Sequence, residues 1–243
     1  MIIHAKKGQT SYGEAIGILL LDTFTPFIQG DVGNAATFPY PVRYQRVEGF
    51  TVARALGKAG SVLEPLIEAA VSLEREGVRA ITGDCGYMIL HQQEVARRVS
   101  VPVFLSSLLQ LPFILSILPP EKKAGVLCAS SESLDAALLS AAGIHDSGRL
   151  AIHGMQNYPA FNDTFIRETG TLDTEKVRRE MADAARSLIA DHPDTGAILL
   201  ECSCLPPYAA AVHDATGLPV FDYITMINHV HNAVVPNRYE DRL

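Results

Sequence analysis

A strand, a cysteine, a helix and a second strand occur twice in this chain at one spacing. When Cys85 is laid on Cys202, Ala80-Ile81 falls on Ala197-Ile198 and Asp84 falls on Glu201. Downstream, Val101-Pro102-Val103-Phe104 falls on Leu218-Pro219-Val220-Phe221, and each cysteine precedes its proline by 17 residues. A few apolar strand residues match by chance in any two α/β segments. A joint match of acid, cysteine and downstream Pro-Val-Phe points instead to duplicated halves. The register also separates neighbours, because Cys202 keeps it and Cys204 does not.

The rest of the chain extends the same alternation. The apolar run from Glu14 to Asp22 suits a buried parallel strand, as do Val78 to Gly83, Val101 to Leu105, Ala124 to Ala129, Ala197 to Leu200 and Leu218 to Asp222. Arg149 to His153 is a further candidate strand. Between them lie helical segments: one opened by a Ser61-Val-Leu-Glu64 capping box, one from Cys85 to about Val99, and one from about Ser107 to Leu118. Ser131 is expected to cap the next, which ends at Gly143. Helices over Asp173 to Ala190, from Pro206 to Gly217, and from about Thr225 complete the series. The expected fold class is therefore α/β: two similar flavodoxin- or Rossmann-like parallel-sheet lobes related by a pseudo-twofold, with a site between them at the carboxyl ends of strands. Residues 1–118 with 223–243 are expected to form the first lobe and 119–222 the second. Thr23 to Gly57 is a long connection rich in Gly, Pro and aromatics, of the kind that covers a site.

Both repeat cysteines sit just past a strand and just before a helix, where free N–H groups and the helix dipole favour thiolate over thiol. Facing lobes would set a thiolate on one side of a substrate carbon and a thiol on the other, which is what proton removal and delivery at a carbon acid require. A cysteine also packs well as a small apolar residue. Cys128, inside Val126-Leu-Cys-Ala129, reads as core, and Cys204 as a spare thiol or a neighbour of the site. Asp84 and Glu201 would oppose thiolate formation if they pointed at sulfur, and are otherwise helix-start acids. Arg43 and Arg46 are either carboxylate clamps or solvated surface groups.

Composition narrows the partners. A formal charge of −7 without a basic block argues against nucleic acid or an anionic membrane, and no apolar run is long enough to span one. Four cysteines without CxxC or zinc-ligand spacing fit reduced thiols, a cytoplasmic setting and no metal. Lys6, Lys7, Lys58, Lys122, Lys123 and Lys176 lack the buried context of a pyridoxal Schiff base, so no cofactor is expected. Gly57-Lys-Ala-Gly-Ser61 lacks the strand and spacing of a phosphate loop.

Ala-Ile-Thr-Gly-Asp-Cys85-Gly, and Ala-Ile-Leu-Leu-Glu-Cys202-Ser-Cys followed by Leu-Pro-Val-Phe-Asp222, resemble the two cysteine motifs of the aspartate/glutamate racemase superfamily, which includes hydantoin and allantoin racemases. That resemblance implies two α/β lobes and a cofactor-independent racemase or epimerase, with Cys85 and Cys202 as paired acid and base. It implies a small substrate bearing a carboxylate or carbonyl, with a homo-oligomer compatible. By the same resemblance Asp22 and Thr23 match the polar end of the family's first strand. Ser130 and Ser131 match its carboxylate-holding segment, and Gly86 and Ser203 flank the thiols. Gly86 stands where amino-acid racemases carry Asn-Thr, and Ser203-Cys204 where glutamate racemases carry Thr-His. A maleate isomerase-like or decarboxylase-like reaction on the same fold, and a non-catalytic two-lobed ligand-binding module, are the alternatives.

Overall fold

The computed structural model describes residues 2–5 and 7–239; residues 1, 6 and 240–243, Lys6 among them, lie outside the described residues. Eight parallel strands are described: β1 (Ile16–Leu20), β2 (Val42–Arg46), β3 (Ala80–Gly83), β4 (Val103–Phe104), β5 (Lys123–Cys128), β6 (Leu150–Gly154), β7 (Thr195–Leu200) and β8 (Val220–Phe221). They form two four-stranded sheets of order β2-β1-β3-β4 and β6-β5-β7-β8. The helices are α1 (Val52–Leu56), α2 (Leu63–Arg75), α3 (Gln92–Ala96), α4 (Leu111–Ile117), α5 (Ala136–Ala141), α6 (Pro159–Phe161), α7 (Thr174–Asp191), α8 (Ala209–Thr216) and α9 (Tyr223–Val234). Among the described residues no helix is long and apolar enough to cross a membrane.

The duplication runs further than the cysteine units. Ile81 pairs with Val103 as Ile198 pairs with Val220, and the Ile81 and Ile198 amides donate to the Pro102 and Pro219 carbonyls, both at 2.9 Å. Ile16 and Ala124 pair with Ala80 and Ala197, and Val42 and Leu150 lie on their other sides. From Ile16 to Val42 and from Ala124 to Leu150 the chain advances the same 26 residues. From Val42 to Ala80 it advances 38, and from Leu150 to Ala197 it advances 47. The nine extra residues fall on the connection that carries α6, the π-helical turn Asn162–Ile166 and Glu168.

Glycine marks the same place in both sheets. A Cβ on Gly17 would lie 2.9 Å from Cδ1 of Leu73 in α2, and one on Gly125 would lie 2.9 Å from Cδ2 of Leu188 in α7. Both leucines are buried, so each glycine lets a helix sit close on its sheet. The lobes also exchange helices. α9 packs on β3, burying Tyr223, Met226 and Ile227 with Ile16, Ile18 and Phe104. α4, expected with the first lobe, packs instead on β5.

Several local expectations are corrected. α2 starts at Leu63 behind a 3-10 turn over Gly60–Val62, and its N-cap Val62 makes no side-chain cap, so Ser61 does not cap it. Ser131 caps nothing; Asp135 accepts from Ala137 N and Leu138 N at the start of α5. β2 lies inside the segment read as a connection. It is an edge strand whose residues are half-buried or exposed, so it lacks the continuous apolar run of a central parallel strand.

Candidate active site

Strands β1, β3, β5 and β7 end at one cleft. Just beyond β3, Asp84 accepts from the Leu21 amide at 2.9 Å and its own amide donates to the Leu19 carbonyl at 3.0 Å. Just beyond β7, Glu201 accepts from the Ala129 amide at 3.2 Å, and its amide donates to the Leu127 carbonyl at 2.9 Å. Each acid thus ties the end of its strand to that of its neighbour, and turns the next residue, the cysteine, into the cleft. Neither acts as a helix cap, and both are almost fully buried.

The cleft encloses about 550 Å³ between atoms, its open mouth included. That is within the range of small-molecule sites. Cys85 and Cys202 both line it, with Gly86, Tyr87, Ser203 and Cys204 following them in chain. Thr23, Thr25 and Phe27 enter from the first connection, Val52, Ala55 and Leu56 from α1, and Phe165 and Ile166 from the nine-residue-longer connection. Thr23 Oγ1 and the Phe24 amide donate to Glu168 at 2.5 and 2.8 Å, so these two connections meet over the mouth.

Of the site residues expected from sequence, Cys85, Cys202, Thr23, Gly86 and Ser203 come together here. Asp22 does not line the cleft; it accepts from the Gly49 amide and pairs with Arg46 at 3.5 Å. Ser131 faces a separate depression, where Gln156 Nε2 donates to its hydroxyl and its amide donates to Gln156 Oε1. Ser130 is buried, its hydroxyl accepting from Ser133 N and its carbonyl from the Tyr87 hydroxyl. Small hydroxyl residues after β5 therefore build a turn rather than a ligand cradle. Arg43 is paired with Glu14 and Glu76 at the edge of β2 and is no carboxylate clamp.

The electrostatics reverse one expectation. The helix after Cys85 is a six-residue 3-10 segment, Gly86–His91, too short for a strong dipole. Burial, followed by the nearby Glu201 and Asp84 carboxylates and the Cys202 sulfur, pushes the Cys85 thiol well above its usual range. Burial likewise raises Asp84 and Glu201, each to about 7. A Cβ on Gly86 would collide with Oε1 of Glu201, so the second lobe's acid reaches across and lies on the first lobe's backbone beside Cys85.

Asp31 was not singled out from sequence. It is almost fully buried, accepts from the Gly33 amide at 3.0 Å, and has its carboxyl pushed up to about 8, mainly by burial. Its only signal was the Gly-Asp-Val-Gly setting between aromatic residues.

No protein-family model matches the chain. It is similar to a dimethylsulfoniopropionate lyase of Durusdinium sp. clade D, 33% identical over 230 residues, covering 92% of this chain and 76% of that protein. It is also 33% identical over 235 residues to dimethylsulfoniopropionate lyase 3 of Emiliania huxleyi, covering 92% of this chain and 60% of that longer protein. Among solved structures, allantoin racemase of Pseudomonas fluorescens superposes with a TM-score of 0.61 at 13% identity, over 90% of each chain. Picrophilus torridus aspartate racemase does so with 0.56 at 15% identity, over 94% of this chain and 96% of that one. On the fold of the aspartate/glutamate racemases, then, this chain belongs to the enzyme family of the dimethylsulfoniopropionate lyases.

Proposed function

We propose that the protein is a cofactor-independent lyase that removes a proton next to a carboxylate and expels a cationic β-substituent, as dimethylsulfoniopropionate would offer. The observation that carries this reading is the charge of the cleft. Asp84 and Glu201 lie beside the thiols, the rings of Phe27, Tyr87 and Phe165 line the wall, and no Lys, Arg or His is among the described lining residues. Aromatic faces and carboxylates suit an onium group. The second carboxylate of aspartate or glutamate would instead face two buried acids across a medium that screens poorly.

In this reading Cys85, held as a thiol, is the acid and Cys202 is the base. Cys202 thiolate takes the α-proton, and the electron pair moves to form the Cα–Cβ double bond. The Cβ–S bond breaks with its pair on sulfur, giving dimethyl sulfide and acrylate. Cys85 donates a hydrogen bond to the carboxylate oxygen on which charge develops, and the Thr23 and Thr25 hydroxyls lie near enough to orient that carboxylate. Headspace chromatography for dimethyl sulfide, with acrylate followed by NMR, tests it. Release that falls at least about a hundredfold in Cys202→Ser and in Cys85→Ser supports the assignment; the absence of release by the unaltered protein refutes it.

The matched places of the two thiols favour a second reading, racemisation or epimerisation at a carbon acid, with Cys85 reprotonating the face opposite Cys202. Deuterium uptake from heavy water by an amino acid or hydantoin, with inversion and without dimethyl sulfide, would select it over elimination. Loss of mass as carbon dioxide, or cis–trans change of an alkene, would select the decarboxylase-like or maleate isomerase-like reactions.

A further inference from the structure

Elimination differs from racemisation in one bookkeeping respect: the proton taken from the substrate is not returned to the product. The base must therefore lose a proton in every turnover, and Cys202 lies at the inner end of a cleft walled by apolar groups. One buried path leads away from it. Cys204 lies within hydrogen-bonding reach of the Cys202 sulfur on one side and of the Asp31 carboxylate on the other. Asp31 does not line the cleft itself, so it meets Cys202 only through Cys204. The first connection is seated for this contact. The Val32 amide donates to the Ser203 carbonyl at 3.5 Å, and Gly30, with φ of 102°, lies so close to Pro207 that a Cβ would come 2.9 Å from its Cα. The Tyr208 hydroxyl is buried without a hydrogen-bond partner and lies close enough to Asp31 and Cys204 to feel their charge, which extends the polar cluster in an otherwise apolar core.

We propose that Asp31 and Cys204 are positioning residues that form a buried relay for the proton of Cys202. Cys202–SH passes its proton to the Cys204 sulfur as the Cys204 proton moves to the Asp31 carboxylate. Cys202 thiolate, Cys204 thiol and a neutral Asp31 result, and every proton is accounted for. The inference rests on Cys202 being the base of the proposed elimination. It also gives Cys204 a place that the repeat register denies it, and gives the first connection a chemical role beyond covering the site. The other ionisable groups facing this cluster are Tyr44, Asp84, Cys85, Cys128, Glu201 and Tyr208. They stay the same in every variant below.

The test follows alkylation of Cys202 by iodoacetamide against pH in the full chain, read by peptide mass spectrometry. Cys204→Ala removes the donor to the Cys202 thiolate, so its midpoint should move up by about one pH unit. Cys204→Ser keeps a donor and should restore part of that shift. Asp31→Asn keeps the shape, removes the charge and leaves the Cys204 proton free to face Cys202, so the midpoint should move down. Opposite shifts are not expected of a merely structural cluster. Equal midpoints in all four proteins, or shifts of one sign, would overturn the relay. Cys204→Ser and Asp31→Asn alone suffice where Cys204→Ala does not fold. A second arm measures dimethyl sulfide. Steady-state release slowed at least tenfold in Cys204→Ala, with a single-turnover burst retained, supports the relay; loss of burst and steady state together counts against it. If the unaltered protein releases no dimethyl sulfide while the alkylation shifts hold, the lyase reading fails and the relay stands.

Discussion

The Glu201 carboxylate rests where a side chain on Gly86 would be, so Gly86→Ala can be accommodated only by moving that acid off its place beside Cys85. Turnover is expected to fall at least tenfold while the melting temperature changes by no more than a few degrees, and kinetics beside thermal melts will show whether the two separate. Charge at this site also sets how stability follows pH. Burial raises Asp31 to about 8 and Asp84 and Glu201 to about 7, so between about pH 4 and these values the folded protein holds protons that the unfolded chain has released. The stability gained is full at the acid end and is lost as pH rises through about 7 to 8. Glu201→Gln keeps an acceptor for the Ala129 amide and removes the ionisation. The drop in melting temperature between about pH 5 and about pH 9 should therefore shrink by several degrees; an undiminished drop would show that Glu201 does not titrate in this range. Cys85, Cys202 and the acids before them were legible from the repeat because motif and spacing coincide. Asp31 was not, because a lone acid in a Gly-rich connection has no periodicity, and only the folded contact with Cys204 gives it meaning.

At the scale of elements, the matched glycines offer a direct measure of the duplication. Gly17→Ala and Gly125→Ala each press a methyl against a buried leucine of a covering helix, and each is expected to cost about 1–3 kcal/mol in urea unfolding. A large penalty in one sheet and none in the other would show that the helices are not seated alike. Caps separate in the same way. Asp135→Ala removes the acceptor for two amides of α5 and its pairing with Lys58, for about 1 kcal/mol, whereas Ser61→Ala at the start of α2 should change almost nothing. Central strands were readable because burial on both faces leaves unbroken apolar runs. β2 was hidden because an edge strand satisfies fewer of those conditions, and its Arg43 and Arg46 look like solvated charges until Glu14, Glu76 and Asp22 are placed beside them. The misread serine caps have a simpler cause: a serine before a helix resembles a cap whether or not the chain turns at that residue.

For the molecule as a whole, the lobes hold one another by more than a shared cleft. The Ser107 hydroxyl, just beyond β4, lies 3.1 and 2.9 Å from the Leu200 and Glu201 carbonyls, and the Ser203 hydroxyl donates to the Asp84 carbonyl. With α4 and α9 crossing to the opposite sheets, separate unfolding of the lobes is not expected. Urea transitions followed by far-ultraviolet dichroism and by tyrosine fluorescence should coincide, and two resolved steps would contradict this. The two strand orders repeat faithfully, yet one connection is nine residues longer, and it is the one that brings Phe165 and Ile166 to the cleft and Glu168 to Thr23. A perfectly twofold cleft would present mirror-related approaches to its two thiols and treat the two hydrogens of a substrate methylene almost alike. The extra turn closes one approach only, so this protein is a prochiral discriminator by construction. Offered a substrate labelled with deuterium on one face of the α-carbon, it should discard the label from one stereoisomer and keep it in the other.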